Sequence, residues 1–169
     1  MAKLEVQLLS SEGFRPYGTI ASLTPPAEKP LVDNGPIKFW PDCGGVLSAG
    51  MTGGNQLSIG VCQVGWRELV IDTVEYHDFA SEGILPIDGA IYLHVAAPTA
   101  DDCSPDEENF EVFLVPMGTM VILKPGVWHH APFATYPGAV VNTMIILPQR
   151  TYKIDCDFCN VTPAIEFKQ

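Results

Sequence analysis

An all-β barrel or sandwich is the fold class this sequence predicts, on three observations. Fifteen glycines and fifteen prolines are spread along 169 residues rather than bunched, a density above the usual ~12%. They punctuate short runs rich in β-branched residues. No segment sustains an amphipathic helical period, so helices are expected to be few and short. A chain of 169 residues fits one domain over 1–169 and is long enough to close a core without staples.

The elements follow in order. Thr24 to Pro36 carries four prolines and reads as a loop crossing the surface. Leu57–Val64 (LSIGVCQV) is strand-like, and Leu69–His77 (LVIDTVEYH) reads as a second strand. Gly89 punctuates, and Ile91–Ala96 (IYLHVA) reads as a third. The stretch from Pro98 to Asn109 with its neighbour Glu111 holds six acidic side chains, Asp101, Asp102, Asp106, Glu107, Glu108 and Glu111, which fits a solvated loop or short helix. Three more strands are expected at Glu111–Val115, Thr119–Leu123 and Val140–Leu147. Pro116-Met117-Gly118 between the first two of these is a hairpin signal.

Charge and cysteine usage bound the function. Nine Lys and Arg against twenty Asp and Glu give a net charge of −11, which argues against nucleic acid and anionic membranes as partners. No run of ~18 apolar residues is present for a membrane helix, and the first residues lack an apolar signal core. The five cysteines are Cys43, Cys62, Cys103, Cys156 and Cys159. An odd count without a signal reads as reduced thiols in a cytoplasmic protein. Cys156 and Cys159 form a lone Cys-x-x-Cys with no second pair to complete a zinc site, and read as packed or incidental thiols. The glycines at 44, 45, 50, 53, 54 and 60 lack the strand–turn–helix setting of a phosphate loop. No Gly-x-Ser-x-Gly supports a serine nucleophile.

The histidines carry the chemistry. They are His77, His94, His129 and His130. Glu75 and His77 are two apart on a strand, so both side chains leave one face. Two spaced blocks result: Glu75-x-His77-x4-Glu82-x6-Gly89, and Gly118-x5-Lys124-Pro125-Gly126-Val127-Trp128-His129. They resemble the paired motifs of the cupin superfamily. Glu75 stands for the first His of that pattern, Lys124 for a Pro, and Phe133 for the closing Asn. The resemblance implies a double-stranded β-helix, or jelly-roll barrel, in which Glu75, His77, Glu82 and His129 converge. Two imidazoles and two carboxylates are sound ligands for Mn, Fe, Zn or Ni. Otherwise the carboxylates are hydrogen-bonded residues of the barrel mouth.

The wider chain is similar to the ureidoglycolate lyase family. The likeness rests on Leu9 to Gly18 (LSSEGFRPYG), Glu75-Tyr76-His77, Leu85-Pro86, Gly89, Val95-Ala96, Gly126 to Phe133 (GVWHHAPF) and Asp155-Cys156-Asp157. It implies a cupin-fold enzyme, typically a homodimer, that splits ureidoglycolate into glyoxylate and urea. Where the family has Glu-Arg-His, this chain has Glu75-Tyr76-His77, so a positive charge is gone. Glu82 stands where the family has a neutral amide, which restores the general cupin ligand.

Ureidoglycolate carries hydroxyl, carboxylate and ureido nitrogen on one carbon. Its cleavage needs a base for the hydroxyl proton and an acid for the departing nitrogen. The expected catalytic residues are His77, Glu75, His129, Tyr92, His94 and Lys124; the expected metal ligands are Glu75, His77, Glu82 and His129. Lys124 is the candidate cation for the substrate carboxylate, with Arg15 or Arg67 as substitutes. Tyr92 and His94 share a face of their strand, either the barrel interior or a buried pair bonded to backbone. Since His129 and His130 are adjacent, His129 is expected inside and His130 outside, while Trp128 packs. A different metal-dependent cupin enzyme (an isomerase or oxygenase) and a non-catalytic binder of small acids are the competing readings, because fold alone does not settle function.

Overall fold

The run Ile91–Ala96 is buried at every position, and it is the wall between two cores. In the computed structural model, which describes residues 3–41, 56–99 and 105–169, Ile91, Leu93 and Val95 face one apolar cluster. Tyr92 and Ala96 face another. A strand apolar on both faces is what burial on both sides requires, and it hides which face belongs to a site. Cys43, Cys103, Asp101, Asp102 and the glycines at 44, 45, 50, 53 and 54 lie outside the described residues.

The strands are β1 (Leu4–Leu8), β2 (Gly18–Ser22), β3 (Val32–Asp33), β4 (Lys38–Phe39), β5 (Leu57–Gly65), β6 (Val70–Tyr76) and β7 (Glu82–Pro86). They continue with β8 (Ile91–Ala96), β9 (Phe110–Val115), β10 (Thr119–Leu123), β11 (Trp128–His129), β12 (Phe133–Ala134), β13 (Val140–Pro148) and β14 (Asp157–Lys168). Two four-residue helices, α1 (Ser11–Phe14) and α2 (Thr151–Ile154), and one 3₁₀ turn at Glu107–Asn109 are the helical content. Ser10 caps α1 by accepting the Gly13 N–H at 3.1 Å. No helix of the described residues is long and apolar enough to cross a membrane.

Seven strands run in the order β11-β6-β14-β1-β9-β8-β12, and β11 also pairs with β8. That extra pairing closes β11, β6, β14, β1, β9 and β8 into a barrel. Trp128, Ile71, Ile165, Phe110, Val112 and Tyr92 of these strands fill one cluster. A five-stranded sheet, β2-β10-β7-β13-β5, lies across the other core. There Ile84, Val121, Leu123 and Val141 meet Leu93, Val95 and Phe113. The all-β, barrel-forming expectation holds, with few short helices.

Some local expectations change. Pro116 to Gly118 does turn tightly, with Gly118 at φ +75° and the Thr119 N–H on the Pro116 carbonyl at 3.1 Å. The strands it joins do not form a hairpin: β9 pairs with β1 and β8, and β10 pairs with β2 and β7. The turn carries the chain from one sheet to the other. The proline-rich stretch is exposed but holds β3, which pairs with β4 at Val32↔Phe39. The 12-residue strand β14 went unpredicted. Pro163 interrupts its pattern and falls in the register shift between Asn160 and Ile165, where a missing N–H is tolerated.

Candidate active site

Three elements meet at one point on the seam between the barrel and the five-stranded sheet. His77 follows the end of β6, Glu82 opens β7, and His129 ends β11. The turn at Gly126 brings the first and last together. Its φ of +78° suits glycine, and its N–H donates to the His77 carbonyl at 2.7 Å. His77, Glu82 and His129 are 4%, 7% and 2% exposed, and one donor atom from each lies within 4.8 Å of the others.

The proton positions follow from the partners. His77 Nδ1 is 2.6 Å from the Asp155 carbonyl, and His129 Nδ1 is 2.8 Å from the Val127 carbonyl. A carbonyl only accepts, so both Nδ1 atoms carry the proton. Each Nε2 then points at the same oxygen, Glu82 Oε2, at 3.0 Å from His77 and 2.9 Å from His129. With neutral rings this is three lone pairs aimed at one another. Such a cluster needs a positive charge, either a proton on an imidazole or a cation among the three atoms. Burial raises the Glu82 carboxyl, but the charge and hydrogen bond of His129, then those of His77, overcome it and hold it at about 2. Burial likewise lowers the His129 imidazole, and the Glu82 charge and hydrogen bond more than reverse this, raising it.

The donor set fits a metal. Two imidazole nitrogens and one carboxylate oxygen, buried and converging, match a divalent transition ion with open positions for a ligand. Their other ring nitrogens are fixed by backbone carbonyls, as ligand histidines require. Glu75, expected as a fourth ligand, lies outside this cluster of three. It lines the same cavity and accepts the Cys156 S–H at 3.0 Å. Burial, then the hydrogen bond and charge of Glu75, push that thiol up. Cys156 is thus a partner of a cavity carboxylate, a role its Cys-x-x-Cys spacing did not disclose.

The cavity holds about 200 Å³ and its apolar wall is Ile84, Ile145 and Leu147. His130, expected outside, lines it too. Strand β11 ends at His129, so strict alternation does not extend to His130. Trp128 packs as expected, its ring centroid 4.4 Å from that of Tyr76.

Three expected residues are elsewhere. Tyr92 packs against Phe167 in the barrel core. His94, also on the even face of β8, is 1% exposed against Phe133, and neither of its ring nitrogens has a hydrogen-bond partner. Lys124 is exposed and donates to the Arg15 carbonyl at 2.6 Å and the Pro16 carbonyl at 3.1 Å. Arg15 itself caps the C-terminus of α1. Arg67 comes nearer: its guanidinium donates to the carbonyls of Pro132 and Ala131, two cavity residues, at 2.8 and 2.7 Å, and stacks 3.7 Å over Phe133.

Asp155 is the residue that sequence reasoning missed. Its carbonyl orients His77, and its carboxylate accepts N–H bonds from Asp78 at 2.8 Å and Ala80 at 3.0 Å, with Phe79 at 3.3 Å. These amides belong to the loop between His77 and Glu82. The Asp-Cys-Asp string was its only signal.

A family model described as ureidoglycolate lyase matches residues 1–168. The chain belongs to the ureidoglycolate lyase family. Among its relatives, a putative ureidoglycolate lyase of Agrobacterium fabrum is 25% identical over 178 residues, covering 96% of this chain and all of the relative. The ureidoglycolate lyase of Brucella anthropi is 29% identical, over 75% of this chain and 73% of that one. That of Azotobacter vinelandii is 28% identical over 79% of each. Among solved structures, RmlC from Streptococcus suis in complex with dTDP-D-xylose aligns with a TM-score of 0.33 and 15% identity. It covers 54% of this chain and 43% of its own, too loose a likeness to argue from. Within the ureidoglycolate lyase family, this chain pairs its two histidines with a carboxylate at Glu82 and keeps a second carboxylate, Glu75, in the cavity.

Proposed function

We propose that this protein cleaves ureidoglycolate to glyoxylate and urea in the cavity built on His77, Glu82 and His129, with a divalent metal ion held by those three residues. The observation that carries the reading is the convergence of two Nε2 atoms on Glu82 Oε2, an arrangement that calls for a positive charge and offers a donor set a metal ion would fit, in a chain of the lyase family.

His77, Glu82 and His129 would hold the ion, which when bound would supply Lewis-acid charge to the substrate. The remaining work falls to the chain. Glu75 is the cavity carboxylate free of ligand duty. It takes the hydroxyl proton as the C=O bond forms, and the C–N electron pair leaves with the ureido nitrogen. That nitrogen receives the proton back from Glu75, so one proton moves from oxygen to nitrogen and nothing else is consumed. Positioned proton transfer of this kind contributes ~10²–10⁴-fold. Cys156 holds one Glu75 oxygen, and the wall of Ile84, Ile145 and Leu147 limits water at the reacting carbon.

The test is glyoxylate release from ureidoglycolate by purified protein, with and without exhaustive chelation and re-addition of Mn, Fe, Zn or Ni. Activity that requires the added ion is expected. Full activity after chelation overturns the metal, and absence of glyoxylate under every loading overturns the lyase. Two imidazoles and one carboxylate also suit oxygen-activating iron, so oxygen uptake with the iron-loaded protein would mark the oxygenase reading instead.

A cytoplasmic homodimer completes the proposal. Cys62, Cys156 and Cys159 are free thiols, suited to a reducing compartment. Strand β5 is the edge of its described sheet and exposes Leu57, Ile59 and Val61 at 51%, 72% and 71%. An uncharged nine-residue edge of this kind is suited to pairing with a second copy. Light scattering should give twice the monomer mass for the wild type and the monomer mass for Ile59→Lys; a monomeric wild type refutes the dimer.

A further inference from the structure

We propose that Arg150, presented beside Tyr152 at the mouth of the catalytic cavity, receives the carboxylate of the substrate. The proposal rests on the reading of the cavity as a site for a small α-hydroxy acid derivative. Its support comes from a second cavity of about 280 Å³, lined by Arg150 and sharing Ile145, Leu147 and Tyr152 with the first. The two spaces adjoin through those three side chains.

Charge makes the case. The catalytic cavity presents Glu75 and Glu82 and, among the described residues, no Lys or Arg. The whole chain carries −11. A divalent ion held there would only cancel the charge of those two carboxylates, so an anionic substrate entering such a space still needs a second, fixed cation. The other cations near this region are committed: Lys124 to the carbonyls of Arg15 and Pro16, Arg67 to those of Ala131 and Pro132. Arg150 is the one Lys or Arg lining either of the adjoining cavities among the described residues. Among the described residues its guanidinium makes no hydrogen bond or ion pair.

The backbone supports the placement. Arg150 is the one described non-glycine residue with positive φ, at φ 69° and ψ 15°, a conformation that costs an L-residue free energy. Thr151 Oγ1 on the Pro148 carbonyl at 2.7 Å and the Lys153 N–H on the Arg150 carbonyl at 2.8 Å hold the turn from β13 into α2. Arg150 therefore leaves a pinned backbone at the rim, and a guanidinium fork is the group that matches a carboxylate with two parallel bonds. Lys153, which sits over the Tyr152 ring at 5.6 Å, adds positive charge nearby without lining the cavity.

Calorimetric titration of the metal-loaded protein with glycolate and with its neutral counterpart glycolamide tests the seat. Arg150→Gln should weaken glycolate about 10-fold or more, as loss of a charge-assisted hydrogen bond does. It should leave glycolamide unchanged, and Arg150→Lys should restore part of the loss. With ureidoglycolate, the Arg150→Gln loss should be carried by KM rather than kcat. Equal glycolate affinity in wild type and Arg150→Gln overturns the proposal, as does an equal loss in Lys153→Gln, which would mark a general field. So does a wild type that binds no glycolate. Failure of turnover alone sinks the lyase reading and leaves the glycolate comparison to decide the seat.

Discussion

The His77 Nδ1–H reaches the Asp155 carbonyl at 2.6 Å, and the carboxylate of the same Asp155 gathers the amides of Asp78, Phe79 and Ala80 that follow His77. One residue thus fixes the ring's tautomer and the path of the loop that leads to Glu82. Asp155→Ala leaves partly buried N–H groups without acceptors, at about 1–3 kcal/mol for each one left unpaired. The urea midpoint should fall accordingly. The carbonyl that orients His77 survives the change, so metal affinity should fall only through the loosened loop to Glu82, by roughly 10-fold, the low end of what supporting contacts contribute. Competition titration against a chromophoric chelator measures it, and unchanged affinity would show that the loop holds its shape without Asp155.

Glu82 and His129 give the metal-free protein a pH signature. Glu82 is held below its ordinary 4.5, at about 2, so its contribution is present above 4.5 and is lost as pH falls toward 2. His129 is held above its ordinary 6.5, so its contribution is present below 6.5 and is lost as pH rises through the raised value. Both contributions coexist between 4.5 and 6.5. Urea midpoints of the chelated protein should show this rise and fall, and Glu82→Gln should flatten both arms. Retention of the alkaline arm in that variant would assign it to another group.

His94 makes the opposite contribution. Burial first, then the charges of His130, His129 and Arg67, hold its imidazole well below 6.5, so the unfolded chain takes a proton that the folded chain refuses. Stability contributed by the neutral ring is full above 6.5 and declines as pH falls below it, by up to ~1.4 kcal/mol per pH unit. His94→Phe should remove that slope. It should also cost little at pH 8, since both ring nitrogens lack partners and a similar ring fills the space. Glyoxylate release should survive the change, and its loss would return His94 to the chemistry.

Lys124 holds two carbonyls at the end of α1 rather than a ligand. Lys124→Gln should leave KM for ureidoglycolate within about twofold and cost roughly 1 kcal/mol of stability at most, as for one exposed tie. A KM rise above tenfold would place the ammonium on the substrate after all.

The clustering of His77, Glu82 and His129 was legible in the chain because spacing along it survives folding. His77, Glu82 and His129 each sit at a strand end, where a fixed count of residues fixes the side chain's place. Tyr92 and His94 show the limit: alternation puts them on one face, but β8 is apolar on both sides, and nothing in the pattern distinguishes the two cores. Asp155 acts through its main chain on a residue 78 positions away, a relation no side-chain motif encodes. Pro116-Met117-Gly118 specified the turn correctly and the pairing wrongly, because pairing depends on which sheet each strand's far face can complete.

Strand β11 is two residues long, yet it spans from β6 to β8 and supplies His129. The clasp of the barrel and one jaw of the proposed centre are therefore the same dipeptide. An ion gripped by that jaw would tighten the clasp, so loading the centre should slow amide exchange at positions 128 and 129 and raise the melting temperature together. Conversely, a change that springs the clasp should disarm the proposed centre even where the other strand pairings hold.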